Sequence, residues 1–138
     1  MPRPRYVLEE QIGYVLRRVS QRHIAIFAQS IPQVTPVQLA VLARLAELGP
    51  LSQNRLGRET AMDAATIKGV VDRLARQGLV STAPDPADRR RLTVTLTDAG
   101  AALFGQLAET ALAISSRTLE PLSDEERALL MALLVRLV

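Results

Sequence analysis

The sequence predicts a mainly α-helical protein with one small β-hairpin, an α+β arrangement in which six helices carry most of the chain. Three observations support this. Apolar residues recur in steps of three and four along most of the 138 residues, the spacing that lines one face of a helix. Capping residues, prolines and glycines punctuate those stretches where helices start and stop. Only one region, Leu79 to Thr97, reads instead as two short β-prone runs around a turn rich in proline and arginine.

The first helix is expected over about residues 6–30, with Leu8, Ile12, Leu16, Val19, His23, Ile26 and Phe27 on one stripe. Pro32 ends it. "TPVQLAVLARLAELG" supplies Thr35 as N-cap, Pro36 at the first helical position, Gln38 where a capping box needs it and Gly49 as the left-handed terminator. A short third helix starts at Ser52 and turns Leu56 inward. In "AMDAATIKGVVDRLARQG", Asp63 caps a fourth helix that buries Ile67, Val70, Val71 and Leu74 and stops at Gly78. "LVSTAP" and "RLTVTLT" then form the hairpin. Thr97 caps a long fifth helix with Leu103, Leu107, Ala111 and Ile114 in a stripe, and "SDEE", Ser123 to Glu126, is a capping box that opens the sixth. This last helix, "RALLMALLVRLV", is apolar nearly all round, so burial against a partner is the economical expectation.

Composition narrows the function. One domain is the expectation for this length. Hydrophobic residues make up 48% and aromatics 3%, so the core is built from Leu, Val, Ile and Ala. There is no cysteine and a single histidine, His23, which excludes disulfides and thiol switching and leaves no ligand set for zinc. No metal or cofactor is expected. Apolar runs are far too short for a membrane span and no signal-peptide pattern opens the chain, so a cytoplasmic location is expected. Residues 52–96 carry eight basic and five acidic groups, whereas residues 97–138 carry three and six. Residues 1–51 carry six and three, so the last part alone is net acidic and placement is better evidence than charge count.

Two short helices, a better-formed second helix and a hairpin with a basic tip make up the order of a winged helix-turn-helix. With its apolar residues inward, the fourth helix turns Ala65, Gly69, Asp72 and Arg76 outward, flanked by Thr66, Lys68 and Arg73. Small residues beside cationic ones let a helix approach base edges in a major groove. An ordinary solvated helix face fits these residues equally well, and the hairpin tips the balance. Arg89, Arg90 and Arg91 crowd a narrow turn, where one guanidinium can enter a minor groove and its neighbours can hold phosphates. Pro84 and Pro86 stiffen the approach, and Asp88 can pair with Arg90 and hold it in place. Ser52, at the start of the third helix, joins these candidate DNA contacts.

On these residues the chain resembles the MarR family of bacterial transcriptional regulators. Asp88, Arg90, Leu96 and Thr97 reproduce its wing signature D-x-R-x-x-x-x-x-L-T, with the usual glycine at Gly100. The resemblance covers essentially the whole chain, including six helices with a hairpin between the fourth and fifth. It implies one domain over residues 1–138, with dimerisation helices in 1–34 and 98–138 and a DNA-binding lobe in 35–97. It further implies a homodimer on double-stranded, pseudo-palindromic operator DNA in the bacterial nucleoid. Arg90 would be the minor-groove arginine, Asp88 its positioning partner and Asp63 to Gln77 the base-reading helix. Many members release DNA when a small, often aromatic and acidic, ligand fills a cleft between the dimer helices and the DNA-binding lobe. The lack of cysteine sets aside the peroxide-sensing branch.

For the effector, "SQRHIAIF" places His23 on the inward stripe with Arg22 at its flank and Phe27 one turn on. An imidazole and a guanidinium beside apolar surface suit an aromatic carboxylate or phenolate, although a hydrogen-bonded core or interface histidine is the alternative. The "QRH" segment is similar to that of regulators of nicotinate and related aromatic-acid breakdown within the family. An enzyme would need a nucleophile, base or phosphate loop, and the chain offers no such set. A winged-helix module for nonspecific DNA or protein contacts, without an effector, is the other competing expectation.

Overall fold

The computed structural model describes residues 1–138 as α1 (Ile12–Ser30), α2 (Pro36–Leu48), β1 (Leu51–Ser52), α3 (Gln53–Glu59), α4 (Ala64–Arg76), β2 (Val80–Pro84), β3 (Leu92–Leu96), α5 (Asp98–Thr118) and α6 (Asp124–Val135). The chain divides into two compact units, one from Ile31–Thr110 and one from Met1–Ser30 with Ala111–Val138. No helix is long and apolar enough to cross a membrane.

In the unit of residues 31–110, local signals set the helix ends. Thr35 and Gln38 complete a capping box, with Thr35 N donating to Gln38 Oε1 at 3.0 Å and Gln38 N to Thr35 Oγ1 at 3.3 Å. That box accounts for Gln38, the only buried polar side chain. Gly49 and Gly78 adopt φ of 76° and 74°, left-handed positions that glycine takes without strain. Leu42, Leu45, Leu56, Ile67, Leu74 and Val94 are fully buried in this unit's core.

The sheet has one strand more than expected. β1 pairs antiparallel with β3 (Leu51↔Val94), β3 pairs with β2 from Val80↔Leu96 to Pro84↔Leu92, and the order is β1-β3-β2. Two residues are too few to show a period-two pattern, so β1 is visible only through its pairing. β3 is thereby central and Val94 sealed, while Pro84, which lacks an N–H, sits on an edge strand.

The α3–α4 connection is tight. Met62 N donates to Gly57 O at 2.8 Å, and Ala61 takes a positive φ of 56°. A Cβ on Gly57 would stand 3.1 Å from Met62 O and 3.2 Å from Ile67 Cγ2, so the glycine sets how closely the two helices approach. Arg44 ties α2 to the end of α3 by donating from Nε to Glu59 O at 2.9 Å.

In the other unit, α1 begins later than the periodicity predicted. Residues Leu8–Glu10 form a 3-10 turn and Gln11 is extended at φ −88°, ψ 131°. The Gln11 side chain donates to Val7 O at 3.0 Å, replacing the backbone bond that would have continued the helix. The predicted inward stripe is also mostly outward: Ile26 and Phe27 are buried, whereas Leu8, Ile12, Leu16 and Val19 are exposed and His23 is half-buried. No residue of α6 is buried, and Leu129 and Val135 are 60% and 63% exposed. Large apolar side chains at this density on two helices exceed the scattered exposure of an ordinary monomer surface.

Candidate nucleic-acid interface and effector cleft

The candidate DNA-contacting groups lie on α4 and on the turn between β2 and β3. Asp63 caps α4 by accepting from Thr66 N at 2.7 Å. The Thr66 backbone N–H is the main cause that holds the Asp63 carboxyl below the usual carboxylate range. Ile67, Val70, Val71 and Leu74 turn inward, leaving Ala65, Thr66, Lys68, Arg73 and Arg76 exposed and Gly69 half-exposed. Lys68 is not free, since its Nζ sits 3.0 Å from Asp72 Oδ2 one turn on. Arg73 has no ion pair. Ser52 is half-buried in β1 and spends its hydroxyl on capping α3, accepting from Arg55 N at 3.2 Å.

The wing tip runs from residue 85 to 91 and is closed by Asp85 N donating to Arg91 O at 2.8 Å. Within it Asp88 Oδ1 accepts from Arg90 N at 3.1 Å and from Arg90 Nε at 3.2 Å. Asp88 Oδ2 lies 3.8 Å from Arg91 Nε. Arg90 remains 91% exposed at the side chain, so the carboxylate fixes its base while the guanidinium's outer edge stays available. Arg89 is exposed with no acidic partner. Three cations against the two carboxylates of Asp85 and Asp88 leave the tip net positive, which favours a polyanion.

The remaining signature residues anchor the wing. Thr97 Oγ1 donates to Gly78 O at 2.7 Å and accepts from Gly100 N at 3.1 Å, while Thr97 N donates to Leu79 O at 3.1 Å. One threonine therefore starts α5 and joins the end of β3 to the turn after α4. The spacing of Leu96, Thr97 and Gly100 is explained by this junction.

The three residues expected to hold an effector do not converge as a set. His23 lines a cleft of about 330 Å³ together with Val19, Ser115, Thr118, Leu119 and Leu130. Arg22 faces a separate groove beside Tyr14 and Arg18. Its guanidinium donates to Thr118 O at 2.6 Å and Arg117 O at 3.2 Å, so it caps the end of α5. Phe27, at 4% exposure, is a core residue that lines neither space. Thr118 and Ser115 were missed. The signal for Thr118 was its place four residues after Ile114, one turn further along the α5 stripe.

No group of acidic or histidine side chains is arranged to hold a metal ion.

Comparison with known proteins agrees with this geometry. The family model described as MarR family matches residues 33–91. The chain is 42% identical over 135 residues to the HTH-type transcriptional repressor NicR of Pseudomonas putida, covering 96% of this chain and 85% of that one. A probable transcriptional regulator from Pseudomonas aeruginosa superposes with a TM-score of 0.92 at 50% identity, covering 96% of this chain and all of the other. BpsR of Bordetella bronchiseptica, whose DNA binding is regulated by 6-hydroxynicotinic acid, superposes with a TM-score of 0.91 at 40% identity over 97% of each chain. The wing signature, the helix order and these relatives agree, and the chain belongs to the MarR family of transcriptional regulators.

Proposed function

We propose that the protein is a homodimeric repressor that binds a pseudo-palindromic operator and leaves it when a small aromatic acid binds. The carrying observation is the wing: Asp88 anchors Arg90 by two hydrogen bonds yet leaves its guanidinium edge exposed. Such a preset arginine suits insertion into a narrow groove better than a solvated turn, which has no need of a fixed side chain. The small and cationic outer face of α4, with Ala65, Thr66, Lys68, Gly69, Arg73 and Arg76, supports a role as the base-reading helix.

The uncovered apolar faces of α1 and α6 support the dimer, and two-fold symmetry then requires two half-sites about 10 base pairs apart. The name of the P. putida relative supports repression, and the regulation of BpsR by 6-hydroxynicotinic acid supports an aromatic acid as effector. A cytoplasmic, nucleoid-associated location follows from this role.

A mobility-shift competition tests the reading. A duplex that the protein enriches from a random-sequence pool should outcompete its scrambled counterpart, and 6-hydroxynicotinic acid should release it. Equal competition by both duplexes would identify a nonspecific winged-helix module instead.

A further inference from the structure

Gly69 sits in the interior of α4 and is half-exposed. A glycine there weakens the fold roughly two- to fivefold in its equilibrium constant relative to alanine, because the unfolded chain gains conformations that folding must remove. Most glycines of the 31–110 unit have a reason inside the protein. Gly49 and Gly78 take positive φ, and Gly57 and Gly100 stand against atoms that a Cβ would crowd. Gly69 has neither reason: its φ is not positive, and a Cβ built on it meets nothing within 4 Å beyond its chain neighbours and its own helix. Gly13 and Gly105 are equally open, but they lie on α1 and α5. Only Gly69 stands on the small and cationic face of α4, so the reason for it is sought in what that face meets.

Ala65 lies one turn before Gly69 and Arg73 one turn after it, both exposed. Two neighbouring cations are held along the helix, Lys68 with its Nζ 3.0 Å from Asp72 Oδ2 and Arg76 with its Nε donating to Asp72 O at 3.4 Å. Ala65 and Gly69 have no hydrogen-bonding side chain, so a group they admit is apolar and needs room. On the floor of the major groove the group of that kind is the C5 methyl of thymine. We propose that Gly69 is a specificity-determining residue whose missing side chain seats a thymine methyl against the α4 backbone, beside the Ala65 methyl. The proposal rests on the reading of α4 as the base-reading helix and deepens it, because it names a base that the helix reads and the residue that reads it. An added Cβ would occupy the place of the thymine methyl and hold the helix out of the groove, lengthening the contacts of Thr66 and Arg73 as well.

Full-length Gly69→Ala tests this on a duplex that the wild type enriches from a random-sequence pool. Its Tm should rise by about 2 to 5 °C, since the methyl enters open space and the unfolded chain loses freedom. Its affinity for the enriched duplex should fall about tenfold or more, while its affinity for random duplex at low salt stays within about twofold. Deoxyuridine, which lacks only the methyl, then replaces each thymine of the duplex in turn. At one position per half-site this should weaken the wild type about fourfold, the contribution of one buried methyl group, and leave Gly69→Ala unchanged. Arg73→Ala on the same duplexes keeps two failures apart. If Gly69→Ala binds as tightly as the wild type while Arg73→Ala alters sequence preference, α4 reads bases and the assignment of Gly69 is overturned. If neither variant alters binding to the enriched duplex, the base-reading role of α4 falls and the proposal with it. A weakened Gly69→Ala that shares every deoxyuridine response of the wild type overturns the thymine methyl as the group admitted. A lowered Tm gives the glycine a role inside the protein and overturns the proposal too.

Discussion

Gly100 lies directly against the backbone of Leu79: a Cβ built on Gly100 would overlap the Leu79 carbonyl oxygen and crowd Leu96 Cδ1 at 2.7 Å. The first turn of α5 can therefore rest on the turn after α4 only if residue 100 has no side chain. Leu79 O is already the acceptor for Thr97 N, so it cannot move without breaking the junction that anchors the wing. Gly100→Ala should destabilise the protein by about 3 kcal/mol or more, the scale of overpacking against backbone. Urea denaturation measures it; a loss below about 1 kcal/mol would show that the junction yields.

At the wing, Arg90→Ala should weaken operator binding more than Arg89→Ala or Arg91→Ala, because only Arg90 is doubly held by Asp88. Asp88→Ala should reproduce part of the Arg90 loss by freeing the side chain. A contact to phosphate alone lowers the slope of log K against log salt by about one and affects all sequences alike. Three equal, purely salt-dependent losses would reduce the turn to an electrostatic patch.

The Lys68–Asp72 pair at 3.0 Å is expected to restrain nonspecific binding. Asp72→Ala releases Lys68 and removes a negative charge from the face of α4, so affinity for random duplex should rise several-fold at low salt and the salt slope should steepen. Thr66, Lys68 and Arg73 variants should instead change sequence preference, by about 1 to 3 kcal/mol for each base edge touched. Footprinting on mutated operators separates the two effects.

In the α3–α4 turn, Ala61 holds a φ of 56°, a conformation an alanine adopts only against the clash of its Cβ with the following carbonyl. Ala61→Gly should stabilise the protein by about 0.5 to 1 kcal/mol, the relief of strain exceeding the added chain entropy. A lowered Tm would show that the alanine side chain contributes packing that outweighs the strain.

Asp63 ties helix stability to pH. Its folded-state pKa is lowered from 3.8, first by the Thr66 backbone N–H, so its contribution is present above the ordinary carboxylate range. It is lost as pH falls through that range toward the lowered value. Asp63→Asn keeps an acceptor and removes the charge. The Tm difference between wild type and this variant should be constant above about pH 5 and shrink below it. A difference independent of pH down to acid unfolding would exclude the carboxylate as its source.

Much of this protein is decided locally, and that part is legible in the chain. The capping boxes at Thr35 and Ser123 close with both of their hydrogen bonds, Asp63 caps α4, and Gly49 and Gly78 take the left-handed turns expected of them. Each depends on groups within about four residues, which a sequence displays directly. The pairing of Asp88 with Arg90 is of the same kind. What tertiary structure decided is whatever joins distant residues. β1 exists because Leu51 meets Val94. Gly100 is required by Leu79, twenty-one positions earlier. Arg22 was read as a carboxylate partner because a guanidinium beside an apolar stripe permits it, and in the fold two of its N–H groups also bond carbonyls at the end of α5. His23 finds its hydrogen-bond partner only when Thr118, ninety-five residues away, comes within 2.8 Å. Periodicity tells which residues share a face, but the partner of that face, and so the hydrogen bonding of the one histidine on it, is set by packing that no local pattern encodes.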